Sequence, residues 1–290
     1  MDSTRPALRE LARDGRAAAA IGRHARLELR FESREGRTVL ADGYAEPPLR
    51  LGRLFDAAGA AYMILVCSAP GIFGGDVLEQ RVSVGPGARV LLVSQSALQV
   101  HPAVDGVPAV VHGRYHVEPG GELHCHWDAT IPFAHASLEQ RVSIDLASDS
   151  RFVWSDALMS GRAARGESWQ FASLDHELRL VVDGALQYLE RYAVDPAVRP
   201  PAHPWRWGPA HYAGTALVYH DAVTSAFAER AQEALGAVDG VSSGVDLLEA
   251  HLLLARLLAA GGAPFAKARS LFRDLTLDAV FGAPGLVARR

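Results

Sequence analysis

From His24 onward, apolar and polar residues alternate. Leu27, Leu29 and Phe31 interleave with Glu28, Arg30 and Glu32, the period of two that predicts a half-buried strand. Ser33–Arg37 turns the chain and Thr38–Ala41 returns it. Leu49–Phe55 and Tyr62–Cys67 follow as strands, the second apolar at both parities and therefore internal to a sheet. Beyond them one shape recurs: Val82–Val90, Tyr115–Leu123 and Val142–Phe152 each read as strand, tight turn, strand. The turns are Gly85-Pro86-Gly87, Glu118-Pro119-Gly120-Gly121 and Ala147-Ser148-Asp149, rich in residues that accept turn dihedrals. Their uneven spacing is not that of a strict repeat. The pattern predicts hairpin layers stacked along one axis, each burying its neighbour's apolar face.

Strands are expected to continue through Arg151–Leu158, Ser168–Leu174, Leu178–Val182 and Leu186–Tyr192. The proline-rich stretch Asp195–Pro209 then interrupts them, and Trp205 and Trp207 suit it to covering the body rather than linking domains. Ala213–Tyr219 reads as a last strand, and the C-terminal part turns helical. Asp221 is placed to cap a helix running to Leu235 and closed by Gly236. Ser243 with Asp246 three residues on opens a second, with Leu248, Leu252, Ala255 and Leu258 on one face and Gly261-Gly262 at its end. Pro264 suits the first turn of a third, whose Phe265, Ala268, Phe272 and Leu275 face inward. The expected organisation is an N-terminal flexible arm (1–23) and one domain (24–290), β-rich over 24–220 and helical over 221–290.

The composition fits a folded soluble chain: 290 residues, 49% hydrophobic and 21% charged. A net charge of −4, with the two signs interspersed, gives no general attraction to nucleic acid or to an anionic membrane. Cys67 and Cys125 form no CxxC pair, which suits small buried residues in a reducing cytoplasm. The N-terminus carries Asp2, Glu10 and Asp14 and no long apolar core, so it does not resemble a secretory signal, and the apolar run Leu252–Ala260 is broken by Arg256 and too short to span a bilayer.

Three places carry candidate chemistry. In His124-Cys125-His126-Trp127-Asp128, strand alternation puts His124, His126 and Asp128 on one face, imidazoles and a carboxylate suited to nickel or zinc. A solvated polar strand face is the competing reading. Asp156, Arg162 and Glu167 line a polar passage in one reading and form a structural ion cluster in the other. Asp76 follows paired glycines, where a carboxylate accepts backbone hydrogen bonds or serves a ligand. The glycine-rich loop Ala69–Asp76 precedes a strand rather than a helix and has no Gly-Lys-Ser/Thr after it, which excludes a phosphate cradle. No HExxH motif occurs.

Gly71, Gly74, Gly75 and Asp76, the strands that follow, and Ser94-Gln95-Ser96-Ala97 resemble the urease accessory proteins of the UreD (UreH) family. The resemblance resumes at Ile131-Pro132-Phe133, at Gly161-Arg162 with Gly166-Glu167, and at Val182-Asp183-Gly184, and it runs from about Leu27 to the C-terminus. Between Ser94 and His101 the chain departs from the family pattern, with Leu98, Gln99 and His101 where threonine, lysine and tyrosine are usual. The resemblance implies an elongated, β-helix-like stack of β-layers with C-terminal helices. It also implies an accessory protein rather than an enzyme: a maturation scaffold that docks on apo-urease and binds a UreF-like partner and, through it, a UreG-like GTPase. Nickel would pass transiently, and GTP would be bound by the partner only. The residues by themselves leave two other functions open, a metal-dependent enzyme built on His124, His126 and Asp128, and an assembly scaffold with no metal role.

Overall fold

The computed structural model describes residues 22–281, apart from 58, 104–105 and 204–205. The arm expected over 1–23 lies almost wholly outside the described residues, as does Trp205. The strands are β1 (His24–Arg34), β2 (Arg37–Ala45), β3 (Leu49–Ala57), β4 (Ala60–Cys67), β5 (Val77–Val84), β6 (Arg89–Ser94), β7 (Leu98–Val100) and β8 (Ala109–Val117). They continue with β9 (Glu122–Pro132), β10 (Ser137–Leu146), β11 (Arg151–Met159), β12 (Ser173–Val182), β13 (Ala185–Val194) and β14 (Tyr212–Tyr219). Helix α1 (Ser225–Gly236), strands β15 (Val241–Glu249) and β16 (Leu252–Ala259), and helix α2 (Gly262–Thr276) follow, and a π-helical turn over Leu277–Phe281 ends the described residues.

Two sheets stack face to face. The first has seven strands in the order β13-β12-β10-β8-β5-β1-β2; the second runs β15-β16-β14-β11-β9-β6-β4-β3, with β7 on β9. The recurring strand–turn–strand units are arches, not the hairpins expected. In each, the first strand lies in one sheet and the second in the other: β5 to β6, β8 to β9, β10 to β11. Equivalent strands then pair in parallel, Val77 opposite Val110 and Arg89 opposite Glu122. The reason is in the turns. Ala88 N–H donates to the Gly85 carbonyl at 3.1 Å and Gly121 N–H to that of Glu118 at 2.9 Å, closing each turn on itself. The next layer binds alongside, Glu118 N–H to Val84 O at 2.9 Å and Ala147 N–H to Val117 O at 3.0 Å. Backbone groups are therefore satisfied between layers, not within a unit.

The core between the sheets is built from inward parities, with Leu27, Phe31, Leu92, Leu123, Phe152 and Leu217 among its fully buried members. A second core lies on the outer face of the second sheet. There Val218, Leu253 and Leu257 meet Phe227 and Leu235 of α1 and Phe265 and Phe272 of α2.

The C-terminal part corrects two expectations. Helix α1 begins a turn later than Asp221 suggested, capped by Thr224, whose Oγ1 accepts the Phe227 N–H at 3.3 Å. The helix expected from Ser243 is instead the antiparallel pair β15–β16, so the region after residue 220 is not wholly helical. Leu252–Ala259 is apolar at both parities because both faces are covered, Leu252 by the inter-sheet core and Leu253, Ala255 and Leu257 by the helices. Such a run cannot be told from a buried helix by periodicity. The third expected helix is α2, which buries Phe265, Ala268 and Phe272. Cys125 is buried and Cys67 half-buried, both as free thiols. Among the described residues no helix is long and apolar enough to cross a membrane.

Candidate functional site

The inter-sheet core is not filled throughout. Toward β12–β13 on one side and β14–β16 on the other, it opens into a lumen of about 660 Å³. The hollow arises where polar residues take inward parities. Gln80, Gln140, His176 and Glu190 do so on the first sheet, and Asp156, Thr215 and Arg256 on the second. Asp156 is paired with Thr215 and Thr215 with Arg256, so these three lie side by side on adjacent strands. Arg256 reaches across the lumen, Nη1 to Glu190 Oε1 at 2.7 Å and Nη2 to Tyr188 Oη at 2.8 Å, while Tyr188 Oη donates to Glu190 at 2.9 Å. His176 Nδ1 lies 3.0 Å from Gln140 Oε1, and its ring stacks on Tyr192. Trp207, from the proline-rich stretch, lines one side and meets Trp169 edge to face at 4.6 Å, the covering role expected of it.

Burial pushes the Asp156 carboxyl up, and Glu190 adds to this, against the pull of His176, Trp154 and Arg269. The lumen therefore holds a carboxyl whose charged form is short of solvation.

His124, His126 and Asp128 do not form one group. Pairing between β9 and β11 slips between Ser155, opposite His126, and Ala157, opposite Ala129. Two residues of β9, Trp127 and Asp128, thus stand against Asp156 alone, and this bulge breaks the strict alternation. His124 and His126, ring centroids 6.4 Å apart, share a small cavity with Phe272 and Thr276; Asp128 does not line it. Asp128 instead lines the lumen and a groove beneath α2 that His126 also reaches. His124 Nε2 lies 2.8 Å from Glu122 Oε1, and Arg89 Nε donates to Glu122 Oε2 at 3.0 Å. Burial pushes the Glu122 carboxyl up, but the His124 imidazole and the Arg89 guanidinium more than reverse this and hold it at about 2. Among the described residues no three His, Cys, Asp or Glu side chains converge as metal ligands.

The remaining expected residues occupy the loop edge of the stack. Asp76 is 5% exposed, and its carboxylate accepts the Arg23 N–H at 2.8 Å and the Phe73 N–H at 2.9 Å. Arg162 grips Glu167 in a two-point pair, Nε at 2.7 Å and Nη2 at 2.6 Å, and lies over the Phe133 ring at 3.8 Å. The Arg162 hydrogen bonds hold the Glu167 carboxyl below its usual range, against a smaller opposing effect of burial. The glycines nearby serve close approach. At φ +125°, Gly161 puts a would-be Cβ 2.4 Å from the Glu167 carbonyl, and at φ +148° Gly71 does the same to that of Gln99. Asp156 is the one of these four expected residues that lines the lumen. His176, Glu190 and Arg256 were missed, although each is a polar residue in the apolar phase of its strand, as in Leu174-Asp-His176-Glu-Leu178.

The UreD urease accessory protein family model matches residues 23–290. A urease accessory protein UreD of Deinococcus radiodurans is 31% identical over 270 residues, covering 92% of this chain and 95% of that protein. A urease accessory protein UreH of Helicobacter pylori is 26% identical over 250 residues, 85% of this chain and 92% of its own. A UreD of Sorangium cellulosum is 36% identical over 172 residues, 59% of this chain and 54% of its own. With its stacked β-layers, its helices near the C-terminus and a match running from residue 23 to the last residue, the chain belongs to the UreD family of urease accessory proteins.

Proposed function

We propose that this protein is a scaffold in urease maturation in the cytoplasm, and that its lumen is a path for nickel on the way to the urease active site. It docks on apo-urease and binds a UreF-like protein, which joins it to a UreG-like GTPase; GTP belongs to that partner. The observation that supports a path is the lumen itself, a cavity of about 660 Å³ inside a sheet stack, bordered by Asp128, Asp156, His176 and Glu190. Oxygen and imidazole donors suit nickel, and donors that do not converge on one point hold an ion loosely enough to release it. Nickel is cargo here, not a resident cofactor.

Asp76, Arg162 and Glu167 hold the loop edge at which such a path is framed, and His124 with His126 braces the second sheet under α2. The test is co-expression with a urease operon lacking its own UreD. This chain is expected to co-purify with urease subunits and a UreF-like protein, and to restore nickel-dependent urease activity. Absence of both, from soluble and folded protein, would overturn the proposal.

A further inference from the structure

Both helices pack on the second sheet, so the outer face of the first carries no helix among the described residues. Most of that face is neutralised within itself. From β1 across to β13 its arginines sit beside carboxylates: Arg26 and Arg81 with Glu28, Arg30 and Arg34 with Glu32, Arg141 with Glu139 and Asp175, Arg191 with Glu177. Arg114 on β8 and Arg179 on β12 are the exceptions. Both are exposed, and among the described residues neither side chain has an ion pair or a hydrogen bond. The ladders set them on either side of one residue, Ser143 of β10, which is opposite Arg114 on one flank and Arg179 on the other. At two strand spacings, the arginines stand about 10 Å apart. Leu189 of β13 comes next in the same row, opposite Arg179, and one row on Leu186 faces Val181. Leu186 is 50% exposed and Leu189 46%. A surplus of apolar surface thus adjoins a surplus of positive charge. Asp145, two residues beyond Ser143, faces His116 and Val181 in the ladders and pairs with neither arginine.

We propose that this end of the outer face is a docking surface for an acidic, leucine-bearing segment of another protein. Its carboxylates meet Arg114 and Arg179, each guanidinium taking one in a two-point grip. Its apolar side chain meets Leu189 and Leu186, about 5 Å beyond the second arginine. A helix satisfies these spacings with acidic residues at i and i+7 and a leucine at i+11, at about 1.5 Å per residue. The leucines, and a net charge of −4 on the chain, favour such a segment over a nucleic acid. Asp145 repels the segment and limits how tightly it is held. The surface is independent of the nickel reading, because the lumen lies on the opposite face of this sheet.

The experiment is fluorescence anisotropy with the full-length chain and a labelled, alanine-based helical peptide carrying that Glu, Glu, Leu spacing. Saturable binding is expected, weakened at least tenfold by Arg114→Gln with Arg179→Gln and at least threefold by Leu189→Ser. Asp145→Asn should tighten it at least twofold. Arg30→Gln, whose arginine Glu32 already holds, should change it less than twofold. The altered side chains are exposed, so these variants keep the fold. No saturable binding, equal binding of a peptide with glutamine for both glutamates, or an equal loss with Arg30→Gln would overturn the proposal. So would a dimer, seen by light scattering, that Leu186→Ser with Leu189→Ser disperses, since the face would then belong to a second copy. No nickel or urease enters the assay, so a failed nickel reading leaves the surface standing and an inert surface leaves that reading untouched.

Discussion

Arg256 and Glu190 join the two sheets across the lumen at 2.7 Å, the arginine from the second sheet and the glutamate from the first. Arg256 stands in an otherwise aliphatic strand, Leu-Leu-Leu-Ala-Arg-Leu-Leu-Ala. The carboxylate is 8% exposed while the guanidinium side is about half-exposed, so the pair lies between a surface and a buried salt bridge.

Breaking that pair leaves Glu190 short of a partner. Arg256→Met is expected to destabilise the fold by about 1–3 kcal/mol, between the values for exposed and fully buried pairs. Adding Glu190→Gln should recover part of the loss. Urea unfolding of both single variants and the double checks this, and strict additivity would show that the pair is not coupled.

Glu122 predicts an acid-sensitive stability. Its folded value of about 2 lies below the ordinary carboxylate value, so its contribution is full above about pH 4.3 and is lost as the pH falls towards 2. A depression of this size corresponds to about 3 kcal/mol. Glu122→Gln should flatten unfolding free energy between pH 4.5 and 2.5 relative to wild type. An unchanged slope would show that the Arg89–Glu122–His124 cluster is not its source.

Asp76 and Asp156 should separate stability from activation. Asp76→Ala removes the buried carboxylate that accepts the Arg23 and Phe73 N–H groups and is expected to cost about 1–3 kcal/mol. Asp156→Asn relieves a strained charge and should fold at least as stably as wild type, yet lower urease activation severalfold in the co-expression assay. Full activation by stable Asp156→Asn protein would take that residue out of the path.

Nickel affinity distinguishes the lumen from the histidine pair. We expect weak binding near the micromolar range, about −8 kcal/mol. Asp156→Asn with His176→Gln should weaken it at least fivefold. His124→Ala with His126→Ala should lower the melting temperature and leave affinity unchanged, as read by calorimetric titration. The reverse result would move the ion to the outer face of the second sheet.

Period-two runs such as Leu27–Phe31 made the strands legible, and the Gly-Pro-Gly turn made the layers so. What a turn cannot say is whether its two strands pair with each other, because that choice is made by hydrogen bonds to the neighbouring layer. Leu252–Ala259 misled for a related reason: cover on both faces erases the period. At the site, Asp156 was legible as a carboxylate within a strand. Asp128 was assigned the wrong company because the bulge at Trp127 shifts the parity of everything after it, and a bulge without glycine leaves no mark in the residues.

The stacked arches have a consequence for assembly. A parallel layer offers its next neighbour a free row of backbone donors and acceptors, and an uncapped column would keep accepting copies of itself. Here each column ends in an antiparallel strand: β2 and β13 close the first sheet, β3 and β15 the second. These strands reverse the direction that another arch would need to continue. The parallel layering is thereby given a finite length, and a further arch would have to pair against a strand of the opposite direction.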